Sequence, residues 1–193
     1  MDIDRLAVDA FKDKHSLEQL YELLYPRIYN YIRYRSPDLG EAEELVSQTF
    51  ERMLGALGSY DSGRGPFEPW IFAIARNLVT SHYRKQALRT FLPWEWFHAA
   101  ADPAPQPEEA ALLHESEAEL LQALPRLTPQ QRDLLGLRYA SGLSNPQIAA
   151  LTGLSESHAA VILHRAVGAL RQLLNPQSIH APDCPKEAEH AGK

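Results

Sequence analysis

The chain has 193 residues, 45% of them apolar and 23% charged, with a formal net charge of −6. That balance is globular, and a single cysteine, Cys184, excludes an internal disulfide. No apolar run is long enough to span a bilayer, and Met1-Asp2-Ile3-Asp4 lacks the basic start of a signal peptide, so a cytoplasmic location is expected.

Residues 16–35 read as the first helix, with Leu17, Leu20, Tyr21, Leu24, Ile28 and Ile32 at helical spacing. Pro26 is expected to kink or split it. After the break Ser36-Pro37-Asp38-Leu39-Gly40, a second helix runs from about Glu41 to Leu57, with Ala42, Leu45, Val46, Thr49, Phe50, Met53 and Leu57 inward. Gly58 to Gly65 is a turn-rich loop, and a third helix starts near Pro69, a residue suited to a first turn, and runs to about Gln86. It is expected to bury Trp70, Ile71, Ile74, Leu78 and Val79.

Residues 91–110 read as a linker, with Pro93, Pro103, Pro105 and Pro107 among alanines and acids. Its aromatic cluster Phe91, Trp94, Trp96 and Phe97 departs from that composition and is expected to dock. Residues 91–119 hold seven acids and no Lys or Arg, so the acidity of the chain is concentrated in its middle. Helices resume near Glu108. Thr128-Pro129-Gln130-Gln131 and Ser144-Asn145-Pro146-Gln147 each carry a capping residue, a first-turn proline and a glutamine able to reach back to the cap. Ser155 caps the last long helix, and the tail from 176 to 193 is expected to be disordered. The expected architecture is all-α: two small helical domains, 10–90 and 111–175, joined by a flexible acidic Pro/Ala-rich linker.

Between Leu143 and Leu174, a short helix, the tight turn Thr152-Gly153-Leu154 and a second capped helix make a helix-turn-helix. Such a unit projects the start of its second helix into a DNA major groove. The residues expected to face DNA are Gln147, Ser155, Ser157, His158, Val161, His164 and Arg165. Ala160 and Val161 allow only apolar contact with bases, such as a thymine methyl. A plain helical hairpin is the alternative.

Upstream, the loop and third helix interleave basic and aromatic residues: Tyr60, Arg64, Phe67, Trp70, Phe72, Arg76, His82, Tyr83, Arg84, Lys85 and Arg89, with the polar Asn77 beside Arg76. Aromatic faces stack unpaired bases and cations track phosphates. The alternative is that Trp70 and Phe72 are core and the arginines a solvated face. The second helix instead carries an acidic stripe, Glu41, Glu43, Glu44, Gln48 and Glu51, which repels DNA and suits a basic protein partner. A solvated face would look the same. No HExxH, P-loop, GxSxG or paired CxxC is present, so neither an enzyme nor a cofactor is expected. His180, Cys184 and His190 are too irregularly spaced to suggest a metal site.

Glu41-Ala-Glu-Glu-Leu-Val-Ser-Gln-Thr-Phe50 resembles the core-polymerase-binding motif of bacterial sigma factors. Trp70-Ile-Phe-Ala-Ile-Ala-Arg-Asn-Leu78 with His82-Tyr83-Arg84-Lys85 resembles their promoter-melting helix, and Leu124–Arg132 with the helix-turn-helix resembles their −35 domain. The short two-domain layout is similar to the extracytoplasmic-function (ECF) class of the sigma-70 family. The resemblance implies that Glu41, Glu43, Glu44, Leu45 and Gln48 meet the β′ clamp helices of RNA polymerase core. It implies that the loop and third helix hold the opened −10 strand, that the C-terminal domain sits on the β flap and reads −35, and that an anti-sigma factor regulates the chain. Ser47 and Gln48 stand where the family often has Gln and Glu, and Ala160 and Ile162 where it often has Lys and Arg. A stand-alone helix-turn-helix regulator is the rival, and it requires a ligand or phosphoacceptor domain that the first ninety residues do not suggest.

Overall fold

Apolar side chains at helical spacing need a common surface to bury against, and here that surface is the helix Lys14–Arg35. The computed structural model describes residues 2–91 and 115–175, and no strand occurs among them. The N-terminal lobe consists of α1 (Ile3–Ala10), α2 (Lys14–Arg35), α3 (Leu39–Leu57) and α4 (Phe67–Phe91). The C-terminal lobe consists of α5 (Glu115–Ala123), a 3₁₀ turn (Leu124–Arg126), α6 (Pro129–Leu135), a π turn (Gly136–Ala140), α7 (Asn145–Thr152) and α8 (Glu156–Leu174). The linker expected over 91–110 and the tail with His180, Cys184 and His190 lie outside the described residues, apart from Phe91 at the end of α4. No described helix is long and apolar enough to cross a membrane.

Two expectations change. The helix α2 continues through Pro26 instead of splitting. Leu20, Leu24, Ile28 and Ile32 are all fully buried. Each contributes on the order of 1.5–3 kcal/mol, which outweighs the roughly 3 kcal/mol cost of an interior proline. The N-terminal lobe also begins before residue 10: Asp2 caps α1, which packs Leu6, Ala7 and Ala10 into the core against α2 and α4.

Both capping boxes form as expected, at Thr128/Gln131 and Ser144/Gln147. Gly153 ends α7 with φ 75° and ψ 13°, and a Cβ there would meet nothing within 4 Å. The cost of a side chain at this turn is therefore backbone strain alone. Gly153→Ala is expected to lower stability by about 1 kcal/mol, read as a lower midpoint in thermal unfolding. An unchanged midpoint would mean the turn relaxes.

The two lobes share one core. Beyond its own lobe, α2 packs against α6 and the π turn. Gly136 lies so close to α2 that a Cβ on it would approach Tyr31 Cδ2 to 2.8 Å.

Candidate nucleic-acid interface

The loop after α3 and the first turn of α4 form one wall of a cavity of about 580 Å³; one face of α7 forms the other. Tyr60, Arg64 and Trp70 line the first wall, and Pro146, Gln147, Ala150 and Leu151 the second. Trp70 is partly exposed rather than core. Phe67, expected to contact DNA, is fully buried and offers DNA no surface. Its ring supports Tyr60 edge-on at 4.9 Å and Trp70 at 5.1 Å. The first turn of a helix buries one side, and Phe67 falls on it.

The rest of α4 has two faces. Asn77, Arg84 and Lys85 are exposed. His82 instead turns toward α3, with Nε2 3.4 Å from Glu41 Oε1. Ser36 Oγ donates to Glu41 Oε2 at 3.3 Å, so this acid is tied to its own lobe. Tyr83 is half-buried, and burial raises its hydroxyl above the ordinary range. On α3, Leu45 is 2% exposed and packs inward, so it supports the acidic surface rather than forming it. Glu43, Glu44 and Glu51 are the exposed acids, and Gln48 Nε2 donates to Glu44 Oε1 at 2.9 Å.

In the helix-turn-helix, Ser155 Oγ accepts from the His158 amide at 3.3 Å and starts α8. Ala159, Leu163 and Ala166 are buried, and Ile162 packs against the same core. Ile162 is therefore not an outward position that has lost a cation. Ser157, His158, Val161, His164 and Arg165 share the exposed face. Gln147 has a different setting: its side chain closes the capping box and lines the cavity.

The seam between the lobes centres on Asp133, a residue not anticipated. Its Oδ1 accepts from Arg35 Nη1 at 2.7 Å and Tyr31 Oη at 2.8 Å, and its Oδ2 from Arg76 Nε at 2.8 Å. Arg76 was expected to face DNA; in this arrangement it is committed to the seam and also donates to the Leu151 carbonyl. Burial, and then the Asp133 charge, raise the Tyr31 hydroxyl far above its ordinary value. Arg27 adds a second tie, reaching Glu68 and the Ser141 carbonyl. The signal for Asp133 was its place four residues before Leu137, on the apolar side of its helix.

Against known proteins, residues 20–89 match Sigma-70 region 2 and residues 117–170 match Sigma-70 region 4. The ECF RNA polymerase sigma factor ShbA of Streptomyces griseus is 34% identical over 171 residues, covering 83% of this chain and 88% of ShbA. The chain belongs to the ECF sigma-factor family. It is also 35% identical to the ECF sigma factor BldN of Streptomyces coelicolor over 81% of its own length, and spans 59% of BldN. Among solved structures, the sigma factor RpoE bound to the anti-sigma factor NepR from Bartonella quintana shares the fold, with a TM-score of 0.68 at 24% identity over 83% of this chain and 98% of RpoE. CnrH in complex with the cytosolic domain of CnrY does so with a TM-score of 0.65 at 23% identity, over 91% of this chain and 99% of CnrH. As a sigma factor the chain directs promoter-specific initiation of transcription. The rival regulator leaves the region 2 match without an account.

Proposed function

We propose that the N-terminal lobe of this sigma factor binds core polymerase and captures the opened −10 strand, while residues 111–175 read −35. The observation that carries the first assignment is the cavity wall of Tyr60, Arg64 and Trp70. Aromatic planes beside one cation suit a base that has left its stack, and such capture must offset a few kcal/mol of unstacking. Asn77, Arg84 and Lys85 extend the surface along α4, with His82 and Tyr83 behind them. Glu43 and Glu44, supported by Glu41, Leu45 and Gln48, form the surface for the β′ clamp helices. The exposed face of α8 from Ser155 to Arg165 enters the −35 major groove, with the lobe resting on the β flap.

Arg76 and Gln147 face the seam in the packed arrangement, so both surfaces become fully available when the lobes separate. RpoE and CnrH, which share the fold, are each described in complex with a protein partner. By analogy, the partner that holds this chain inactive is an anti-sigma factor. The chain then acts in the cytoplasm beside the polymerase and contributes binding rather than catalysis.

Run-off transcription tests this reading. The full chain is expected to support initiation only with core polymerase; tight binding to a defined operator alone, with no run-off synthesis, would overturn it. Arg84→Ala and Lys85→Ala are each expected to flatten the salt dependence of promoter complexes by about one unit in the log–log slope. An unchanged slope in both variants removes α4 from the phosphate path.

A further inference from the structure

The helix α1 lies outside both matched regions, and no site residue was expected in it. It nevertheless touches both ends of the loop that carries Tyr60 and Arg64. At the near end, the ring of Phe11 sits against Gly58, so closely that a Cβ on Gly58 would approach Phe11 Cε2 to 2.6 Å. At the far end, Asp4 Oδ1 accepts from the Phe67 amide at 2.6 Å and from the Tyr60 hydroxyl at 3.1 Å. Tyr60 Oη also lies 3.2 Å from the Gly65 carbonyl.

These contacts answer a local need. Phe67 opens α4, so its amide has no partner within the helix. A carboxylate there satisfies that donor and lies at the positive end of a 25-residue helix. The acceptor comes from another helix, and the same oxygen holds the Tyr60 ring, which stands 5.5 Å from Trp70. One atom thus fixes the start of α4 and one aromatic wall of the cavity together. Burial, and then the Asp4 charge, raise the Tyr60 hydroxyl, which keeps it a donor.

We propose that Asp4 is a positioning residue for −10 strand capture, and that α1 is a brace that sets the shape of the loop between Gly58 and Phe67. The proposal rests on the reading of that loop as the strand-binding surface. Asp4 touches no DNA; it acts through Tyr60 and the amide of Phe67. Its loss alters opening and strand binding without altering attachment to core.

The test compares Asp4→Ala, Asp4→Asn, Tyr60→Phe and Arg64→Ala in the full chain assembled with core polymerase. The readouts are thermal midpoint, core affinity, and affinity for a single-stranded −10 oligonucleotide. Asp4→Ala is expected to weaken oligonucleotide binding about tenfold, the scale of a lost charge-assisted hydrogen bond, with core affinity unchanged. Asp4→Asn keeps an acceptor oxygen and is expected to recover most of that loss. Tyr60→Phe, which folds with Asp4 still on the Phe67 amide, is expected to fall between. Hydrogen exchange at the Phe67 amide is expected to rise in Asp4→Ala and not in Asp4→Asn. If Asp4→Ala loses core affinity and oligonucleotide affinity in equal proportion, Asp4 is a stability residue and the proposal fails. If Arg64→Ala weakens binding and neither Asp4→Ala nor Tyr60→Phe does, the brace alone is wrong. If Arg64→Ala also has no effect, the loop does not bind the strand and both readings fall.

Discussion

Asp133→Ala is expected to destabilise the packed arrangement by about 3 kcal/mol, because it leaves two arginines and a buried hydroxyl facing a space that held their shared acceptor. Arg35 and Asp133 have side chains only 11% and 7% exposed, so water replaces little of the lost interaction. Arg76 is 28% exposed and relaxes more easily. Arg35 keeps its hydrogen bond to Tyr31 at 3.0 Å, and Arg76 keeps a weak one to the Leu151 carbonyl at 3.4 Å. Neither replaces a carboxylate. The expected results are a lower thermal midpoint and a larger radius by small-angle scattering, as the lobes part. Asp133→Asn keeps the shape and loses the charge, and is expected to fall between. Unchanged midpoint and radius in Asp133→Ala would mean that apolar contacts alone close the seam.

Reversal of two of the exposed acids on α3, in the double variant Glu43→Lys and Glu44→Lys, is expected to lower affinity for core polymerase by about 100-fold, since like charges brought together across an interface cost several kcal/mol. Both side chains are exposed, so the fold itself should be little affected. Raising the ionic strength should narrow the gap between variant and parent, because rim charges are screened. Glu41 is a poorer target. Its ties to His82 and Ser36 mean that its reversal also disturbs the junction of α3 and α4. Equal affinities for parent and double variant, measured at low salt, would leave the stripe as a solvated face.

The helices were legible because their signals are local. Capping residues stand next to what they cap, and Leu20, Leu24, Ile28 and Ile32 repeat along a single helix. Gly153 could be placed at a left-handed turn from its neighbours alone. Pro26 does not split its helix, because the burial on either side of it outweighs the local rule. Phe67 misled for a related reason: aromatic residues in a basic segment suit base stacking, but only the packing of a first turn tells which ring faces in. The seam was harder still. Asp133 meets residues about a hundred positions earlier in the chain, and a pair so distant leaves no periodicity to read. Asp4 is legible only once α4 is known to start at Phe67. The exposed cations Arg84 and Lys85 were easily named, whereas Arg76, on the same helix and of the same chemistry, turned out to serve the other lobe.

The convergence of two arginines and a tyrosine on one carboxylate also sets how the lobes can part. Contacts spread along a surface peel apart one by one, each at small cost. Contacts that share an acceptor are coupled, since moving α6 away takes the partner from all three donors at once. Separation then behaves as a threshold rather than a gradient. A molecule that favours the parted form must do so by at least the worth of this one joint, and below that margin the chain stays folded on itself. The buried carboxylate thereby sets the step in that threshold, with the Arg27 tie and the shared apolar core adding to its height.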